Sequence, residues 1–283
     1  MTSKAAALES QREFHLSNDE FNRLRELVHR YTGIALSDAK RELVYGRLAK
    51  RLRTLGLRTF SDYCRLVESE HPEELQELTN AITTNLTAFF RENHHFQQLA
   101  SEVLGEREGN NAATRRLRIW SSACSTGEEP YSIAIVLREA WERLRTWDVR
   151  VLATDIDSNV VAKASNGIYK ADRLEGIPAS RRQRWFVPAT GGGYSVVPEL
   201  KELITFKQLN LFDPWPMRGP FDVIFCRNVV IYFDVGTKRA LFSRMAQLQP
   251  PGAMLFLGHS ESLYRISDQY QLVGRSIYRR TGA

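Results

Sequence analysis

The chain is poor in cysteine and has no long apolar run, and each shortage excludes a class of protein. Three cysteines among 283 residues stand far apart, at Cys64, Cys124 and Cys226, a spacing that fits neither a disulfide framework nor a zinc site. The run at 229–233 is far shorter than the roughly 20 apolar residues that span a bilayer. Charged residues interrupt 1–15, so we predict a flexible tail there instead of a signal peptide. The sequence thus predicts a cytoplasmic protein with no metal and no membrane insertion.

Glycine is also scarce where a dinucleotide-binding enzyme needs it. The loop after the first predicted strand holds Gly127 alone, whereas a dinucleotide site uses several glycines to bring backbone close to a pyrophosphate. A dehydrogenase is therefore the weakest assignment. Glu128 and Glu129 follow, and such anions repel phosphate but suit a ligand that carries an ammonium group, as S-adenosylmethionine does. A capping box, formed by Ser125 with Glu128 or by the pair one residue later, explains the same residues equally well.

Positive charge is concentrated in one segment. The whole chain carries a net charge of +6, and the segment 40–58 alone, with seven bases and one acid, carries the same excess. Such a segment indicates an acidic partner, which could be nucleic acid, anionic lipid or an acidic protein surface. The alternative is an ordinary solvated helix face. Because the local excess equals that of the whole chain, the sequence favours a partner site.

Two regions with different periodicity divide the chain. Residues 16–104 carry apolar side chains at steps of three and four, with Gly33 and Gly56 as helix ends, and predict a helical domain. The polar segment 105–116 predicts a linker. From 117 to 283, short apolar runs alternate with helical stretches at 131–144 and 237–248, which predicts an α/β domain with a doubly wound, mainly parallel sheet. The predicted strands are 117–120, 149–154, 204–209, 221–225 and 254–257.

An irregular insert at about 168–203 interrupts this alternation. Its β-prone runs at 185–187 and 195–197 flank the glycine triplet 191–193, and glycines between two such runs are typical of a hairpin turn. The insert therefore predicts a small antiparallel β-subdomain.

Polar residues at the predicted strand ends are the candidates for ligand binding, because ligands of open α/β sheets lie beyond the carboxyl ends of the strands. Asp155 directly follows the second strand and can accept hydrogen bonds from a ribose diol, whereas Asp157 is better placed to cap the next helix. Asn210 and Asn228 follow later strands, where an ordinary turn is the simpler interpretation. Arg91, in a segment rich in threonine, suits equally an ordinary surface charge or a guanidinium that holds a carboxylate in a bidentate manner.

Four segments in order along the chain resemble motifs of the CheR family, the chemotaxis-receptor glutamate methyltransferases. They are TNLTAFFRE at 84–92, STGEEPYS at 125–132, FCRNVVIYFD at 225–234 and GHSE at 258–261. The resemblance implies an α/β fold in which a small N-terminal helical domain precedes a Rossmann-like S-adenosylmethionine-dependent methyltransferase domain with an inserted small antiparallel β-subdomain. It also implies methyl transfer to glutamate side chains of chemoreceptors.

The resemblance assigns roles to individual residues. Arg91 and Tyr232 are expected beside the transferred methyl. The residues expected to bind S-adenosylmethionine and its product S-adenosylhomocysteine are Asn85, Thr87, Arg91, Glu128, Asp155, Asn210, Leu211, Arg227 and Asn228. The residues expected to face the acidic methylation helices of a chemoreceptor cytoplasmic domain are Lys40, Arg41, Arg47, Lys50, Arg51 and Arg53. The enzyme is expected to be a monomer that binds no nucleic acid.

The hairpin departs from the pattern in relatives that tether a receptor peptide there, since 186–199 is short and contains no arginine. The sequence therefore favours recognition through the basic helix alone. A nucleic-acid methyltransferase would also suit the basic segment, but no Asn-Pro-Pro-aromatic segment follows the strand at 221–225. A scaffold without turnover is the alternative outside enzymes, and the presence of Arg91 and Tyr232 argues against it.

Overall fold

The computed structural model describes residues 12–69, 71–140 and 146–282, and the chain divides into two compact units between Thr84 and Asn85. Residues 1–11 of the predicted tail and 141–144 of the predicted helix lie outside the described residues. The division falls earlier than the predicted domain end at 104. No helix in the described ranges is both long and apolar enough to cross a membrane.

The first unit contains four described helices, as the sequence predicts. They are α1 (Asn18–Thr32), α2 (Arg41–Leu55), α3 (Phe60–Glu68) and α4 (Pro72–Ile82). Ser17 and Glu20 form a capping box at the start of α1, while Gly33 and Gly56 adopt the left-handed conformation that ends α1 and α2. One apolar core, which includes Leu24, joins the four helices.

The second unit begins with an irregular segment and one long helix. The segment 85–93 is neither helix nor strand. The helix has three parts: α5 (His94–Gln98), a π-helical turn (Leu99–Val103) and α6 (Leu104–Asn110). The predicted linker at 105–116 does not separate the two units, because α6 is helical through Asn110 and the chain divides between Thr84 and Asn85. The Gly-Asn-Asn sequence marks a helix end, which cannot be distinguished from a linker by composition.

A seven-stranded sheet forms the centre of the second unit, in the order β6-β2-β1-β7-β8-β10-β9. The strands are β1 (Arg116–Ser121), β2 (Asp148–Asp155), β6 (Ile204–Gln208), β7 (Val223–Cys226), β8 (Met254–Leu257), β9 (Tyr270–Gly274) and β10 (Ile277–Arg280). The first five are parallel, and β10 and β9 are antiparallel additions at one edge. The parallel strands confirm the predicted α/β fold.

Helices and a second sheet complete the unit. The helices are α7 (Glu128–Ala140), α8 (Ser158–Asn166), α9 (Ala179–Trp185), α10 (Pro198–Lys201) and α11 (Val235–Gln247). The insert forms a separate antiparallel sheet in the order β3-β5-β4, from β3 (Ile168–Tyr169), β4 (Phe186–Pro188) and β5 (Tyr194–Val196). This is the predicted β-subdomain. All three cysteines are buried and free.

Candidate active site

The carboxyl ends of the five parallel strands lie along one edge of the large sheet, and three motif segments follow them. The loop at 122–127 follows β1, Arg227 and Asn228 follow β7, and the segment 258–261 follows β8. The fourth motif segment, before α5, joins them: the Asn85 carbonyl accepts a hydrogen bond from Ser125 (3.0 Å). Motifs that are distant in sequence thus converge on one edge.

Asp155 and Asp157 bind different groups at the end of β2, and Asp157 caps the next helix as its position predicts. The Asp155 carboxylate is buried and accepts backbone N–H groups from Ser125 (2.8 Å) and Asp157 (3.1 Å). Burial raises the pKa of Asp155 to about 6, so the carboxylate is still ionised at pH 7 and retains lone pairs for a ribose hydroxyl. Asp157 caps α8 through Asn159 N–H (2.9 Å) and accepts from Asn85 Nδ2 (2.7 Å).

Glu128 is fully buried at the start of α7. Its Oε2 accepts from the Thr126 hydroxyl at 2.6 Å and its Oε1 from Arg173 Nε at 3.1 Å, an ion pair that the sequence did not suggest. Arg173 also donates to the Thr87 carbonyl (2.8 Å). These contacts differ from the predicted capping box, because the Thr126 hydroxyl donates to a side chain and the Ser125 hydroxyl donates to Asn85. The buried carboxylate of Glu128 therefore binds a cation of the protein itself, Arg173.

Arg227 is buried between two carboxylates. It lies 2.8 Å from Glu129 Oε2 and 3.3 Å from Glu92 Oε2, and it donates to the Arg91 carbonyl. Burial alone would raise the pKa of Glu92, but hydrogen bonds from His259 and the charge of Arg227 outweigh it and lower that pKa to about 2. Burial raises the pKa of Glu129. Arg227 is predicted to bind cofactor, and here its guanidinium connects β7 to α7 and to the segment before α5.

The loop that carries Asn228 and Tyr232 is held by Glu261. This carboxylate accepts backbone N–H groups from Asn228 (2.8 Å), Val230 (2.9 Å) and Ile231 (3.3 Å). Tyr232 is the last residue of the 3₁₀ turn Val230–Tyr232 and is half-buried. Asn228 has a positive φ of 58°, which asparagine tolerates better than most residues.

Arg91 and its neighbours lie at the surface of the segment before α5. The Arg91 side chain is half-buried and donates to the Leu86 carbonyl at 2.8 Å, while Leu86 itself is 76% exposed. Thr87 is half-buried, and its carbonyl accepts from Arg173. The structure thus leaves Arg91 accessible to a partner while its backbone carbonyl is fixed by Arg227.

Asn210 and Leu211 lie beyond the end of β6. The Asn210 side chain accepts from Phe212 N–H (3.0 Å) and donates to Asp213 (3.2 Å). Leu211 is buried, and its carbonyl accepts from Arg244 (2.8 Å). Both residues therefore lie at the predicted edge of the sheet, in a turn that is built by their own hydrogen bonds.

Backbone strain is concentrated around these segments. Phe90, Glu92, Ser125 and Asn228 are four of the seven described non-glycine residues with positive φ, and such conformations persist where surrounding contacts enforce them, often at functional sites. Gly127, with a φ of 97°, has no room for a side chain because a Cβ would lie 2.7 Å from Tyr169 Oη. Its role is to pack the loop, and it forms no phosphate cradle.

The chemistry of this edge fits S-adenosylmethionine. The ligand needs acceptors for a ribose diol and for an ammonium group, and Asp155 and Glu128 are buried carboxylates at the ends of adjacent elements. No group of three or more His, Cys, Asp or Glu side chains in the described ranges could hold a metal ion. Asn85, Thr87 and Asn228 add polar groups on the segments that converge there.

Several residues of the site were not assigned from sequence. Arg173 belongs to the insert, where nothing in the local pattern marks it as a partner of Glu128. Glu92, Glu261 and His259 lie inside recognised motifs, yet their roles depend on contacts across the sheet edge, such as His259 N–H to Glu92 (3.1 Å). The available signal was that both carboxylates, Glu92 and Glu261, end recognised motifs.

The six predicted receptor-binding cations differ in their surroundings within the first unit. Arg47 donates to the carbonyls of Ala81 (2.9 Å), Ile82 (3.0 Å) and Thr83 (2.6 Å) at the end of α4. Arg51 binds the buried Glu74 in a bidentate manner, with Nε at 2.8 Å from Oε1.

The other four cations are more accessible or bind polar groups near the helix start. Lys50 and Arg53 are exposed, and Arg53 pairs with Glu13 (2.8 Å). Arg41 donates to Asn18 (2.9 Å) and to the Leu16 carbonyl. Lys40 is half-buried at the start of α2.

Comparison with known proteins agrees with this geometry. Residues 85–279 match the SAM-binding domain of CheR methyltransferase, and residues 19–83 match its all-alpha domain. The chain is 45% identical to chemotaxis protein methyltransferase 2 of Pseudomonas aeruginosa, with 98% of each chain covered. It is 46% identical to the chemotaxis protein methyltransferase of Klebsiella aerogenes (94% of this chain, 91% of the relative) and 43% identical to that of Escherichia coli (93% and 91%). The chain belongs to the CheR methyltransferase family.

Proposed function

We propose that this protein transfers the methyl group of S-adenosylmethionine to glutamate side chains of chemoreceptors, which forms glutamate methyl esters and releases S-adenosylhomocysteine. The observation that carries the proposal is the convergence of all four motif segments on one edge of the sheet, in a chain whose relatives over nearly their full length are named chemotaxis protein methyltransferases. The cofactor supplies an electrophilic methyl on a sulfonium when it is bound.

The residues of the edge have distinct tasks in this reaction. Asp155 accepts from the ribose, and Glu128 lies where it can bind the ammonium group. Asn85, Thr87, Asn228 and the turn at Asn210 and Leu211 border the same edge. Because the acceptor glutamate is already ionised near pH 7, the reaction needs no general base. Arg91 and Tyr232 then orient the carboxylate and the methyl donor, so that alignment and exclusion of water supply the acceleration.

Substrate recognition is assigned to α2 of the first unit. Its exposed cations complement the acidic methylation helices of a chemoreceptor cytoplasmic domain. Lys50 and Arg53 are exposed, and Lys40 and Arg41 lie near the helix start. Arg47 and Arg51 support them by holding α2 against α4. The enzyme acts in the cytoplasm as a monomer, without nucleic acid and without a tethering peptide at the β-subdomain.

The test is the transfer of radiolabelled methyl from S-adenosylmethionine to a purified chemoreceptor cytoplasmic domain, followed by mild alkali. We expect label in the receptor and its release as methanol, because carboxyl methyl esters hydrolyse under these conditions. Label that survives alkali would identify a nitrogen acceptor and overturn the proposal. Binding of S-adenosylmethionine without any transfer would instead indicate a scaffold.

The roles of Tyr232 and Arg91 are tested in the same assay. Tyr232→Phe and Arg91→Lys should bind S-adenosylmethionine yet transfer methyl at least tenfold more slowly, since a small misplacement of the reacting groups reduces the rate by about this much or more. Full turnover of Tyr232→Phe would remove the tyrosine from the positioning role.

A further inference from the structure

Glu261 is a buried carboxylate that accepts hydrogen bonds from four backbone N–H groups. Its carboxylate is 6% exposed and accepts from Asn228, Val230, Ile231 and, at 2.6 Å, Gly258. Charge-assisted hydrogen bonds of this kind are about twice as strong as neutral ones. One side chain after β8 therefore fixes most of the loop after β7.

The loop starts outside regular secondary structure. Residues 227–229 lie outside helices and strands, and the 3₁₀ turn that follows has no side-chain cap. Asn228 has a positive φ, and its amide approaches Gly258 so closely that a Cβ there would lie 2.4 Å from Asn228 Nδ2. Gly258 makes the approach possible, and Glu261 supplies the acceptors that keep the loop in this conformation.

This loop also carries two of the assigned functional residues. Asn228 is expected to bind cofactor, and Tyr232, which ends the 3₁₀ turn, is expected beside the transferred methyl. Glu261 contacts the backbone at Asn228 and at the two residues that precede Tyr232. One carboxylate therefore binds backbone at or next to both functional residues.

We propose that Glu261 is a positioning residue, which acts on methyl transfer through Asn228 and Tyr232 by binding the backbone of the loop between them. The inference rests on the proposed function, since it concerns the same site. It makes Glu261 a determinant of rate at a position that need not touch either substrate.

The chain offers a matched control at the end of β7 that lies opposite the loop. Asp222, immediately before β7, is 8% exposed and accepts from Arg118 N–H (2.8 Å) and Asn111 Nδ2 (2.8 Å). It is also a buried carboxylate that binds backbone, but it lies at the amino-terminal end of the strand. Loss of either carboxylate should lower Tm, because buried N–H groups lose their acceptor.

The experiment compares Glu261→Gln with Asp222→Asn in the full chain. We first measure the Tm of each variant. The Kd for S-adenosylmethionine and the kcat for receptor methylation are then measured at a temperature well below either Tm. Glu261→Gln should lower kcat by about tenfold or more and weaken cofactor binding several-fold, whereas Asp222→Asn should change both by less than about twofold. Equal effects of the two variants, or an effect of Glu261→Gln on Tm alone, would overturn the inference.

A double-mutant cycle separates positioning from general loosening. If Glu261 acts through Tyr232, Glu261→Gln should reduce kcat less in a Tyr232→Phe background than in the wild type, and multiplicative effects would contradict that route. Should Glu261→Gln fail to fold, Glu261→Asp keeps both oxygens one methylene further from the loop and allows the same cycle. The wild-type protein is assayed alongside the variants. If the wild type does not methylate the receptor, the proposed function itself is refuted; if only the comparison of variants fails, the positioning role alone is refuted.

Discussion

At the scale of single residues, the site is defined by buried and half-buried carboxylates that are paired with cations or with backbone N–H groups. Asp155 binds backbone N–H groups, Glu128 binds Arg173, and Glu92 and Glu129 share Arg227. A buried carboxylate without such partners would be strongly destabilising. The partner that each carboxylate binds in the protein therefore indicates whether that carboxylate remains available to a ligand.

Arg173 allows a direct test of the role of Glu128. In Arg173→Met the buried carboxylate loses its guanidinium, so a ligand cation should replace it and bind more tightly. We expect S-adenosylmethionine to raise the Tm of the variant by more than it raises that of the wild type. The measurement is a thermal shift at equal ligand concentration.

Two controls accompany the Arg173 variant. 5′-Methylthioadenosine has no ammonium group and should shift both proteins equally. Lys170→Met, at an exposed position just before the 3₁₀ helix Ala171–Leu174 that contains Arg173, should behave as the wild type. A larger shift with both ligands would show that Arg173 affects the site by some route other than Glu128.

Glu92 gives a prediction for acid stability. Against the opposing effect of burial, the contacts with His259 and Arg227 lower the pKa of Glu92 in the folded protein to about 2, below the usual pKa of a glutamate. The ionised side chain therefore stabilises the fold at pH values above that usual pKa. This stabilisation is lost as the pH falls toward 2. The difference in free energy of unfolding between the wild type and Glu92→Gln should therefore shrink from about pH 5 to about pH 3. Urea unfolding at each pH measures it, and a difference that is constant with pH would contradict the assignment.

At the scale of elements, α2 combines structural and exposed cations in one helix. Arg47 satisfies carbonyls at the end of α4, where a helix leaves its last four without internal partners. Lys50, three residues later, is exposed. A count of charges along the sequence treats Arg47 and Lys50 alike. Their contacts in the structure show which of the two side chains is free to bind a partner protein.

The two cations should therefore respond differently to substitution. Arg47→Met should destabilise the protein by about 1–3 kcal/mol, since the carbonyls lose a charged donor, whereas Lys50→Met should lie within about 0.5 kcal/mol of the wild type. Lys50→Met should instead raise the KM for the receptor. Denaturant unfolding and methylation kinetics on the same preparations decide between the two roles.

The elements that sequence could predict are those with strong periodicity or clear end signals. Helices α1 to α4 and the five parallel strands follow from apolar spacing and from Gly33 and Gly56. Strands β9 and β10 were not predicted, because β9 is an exposed edge strand in which Leu272 is 60% exposed, and β10 has only Ile277 and Tyr278 buried before two arginines. Similarly, the motifs predicted which segments form the site, but not Arg173, whose role depends on how the insert packs.

At the scale of the whole molecule, the basic segment 40–58 and the residues of the proposed chemistry belong to different units. The basic segment lies in the first unit, and all of the proposed cofactor residues lie in the second. Because exposed charges are screened by salt and buried ones much less, salt should affect the two binding steps unequally.

Raising NaCl from about 50 to about 300 mM should therefore raise the KM for the receptor several-fold while leaving the Kd for S-adenosylmethionine nearly unchanged. Steady-state methylation and calorimetry across the series measure the two quantities. A parallel loss of cofactor affinity would argue that the charged residues near Glu128 are more exposed to solvent than the structure shows.

The buried cysteines make the native protein inert to thiol reagents. Burial raises the pKa of Cys64 to about 11, and it raises the pKa values of Cys124 and Cys226 as well, so little reactive thiolate exists near neutral pH. Alkylation then requires opening of the surrounding core. Cys64 lies in the first unit and the other two in the second. Each unit thus contains a buried thiol whose alkylation rate reports how often that unit opens. Peptide mass spectrometry after timed alkylation would measure both opening rates in an unlabelled protein.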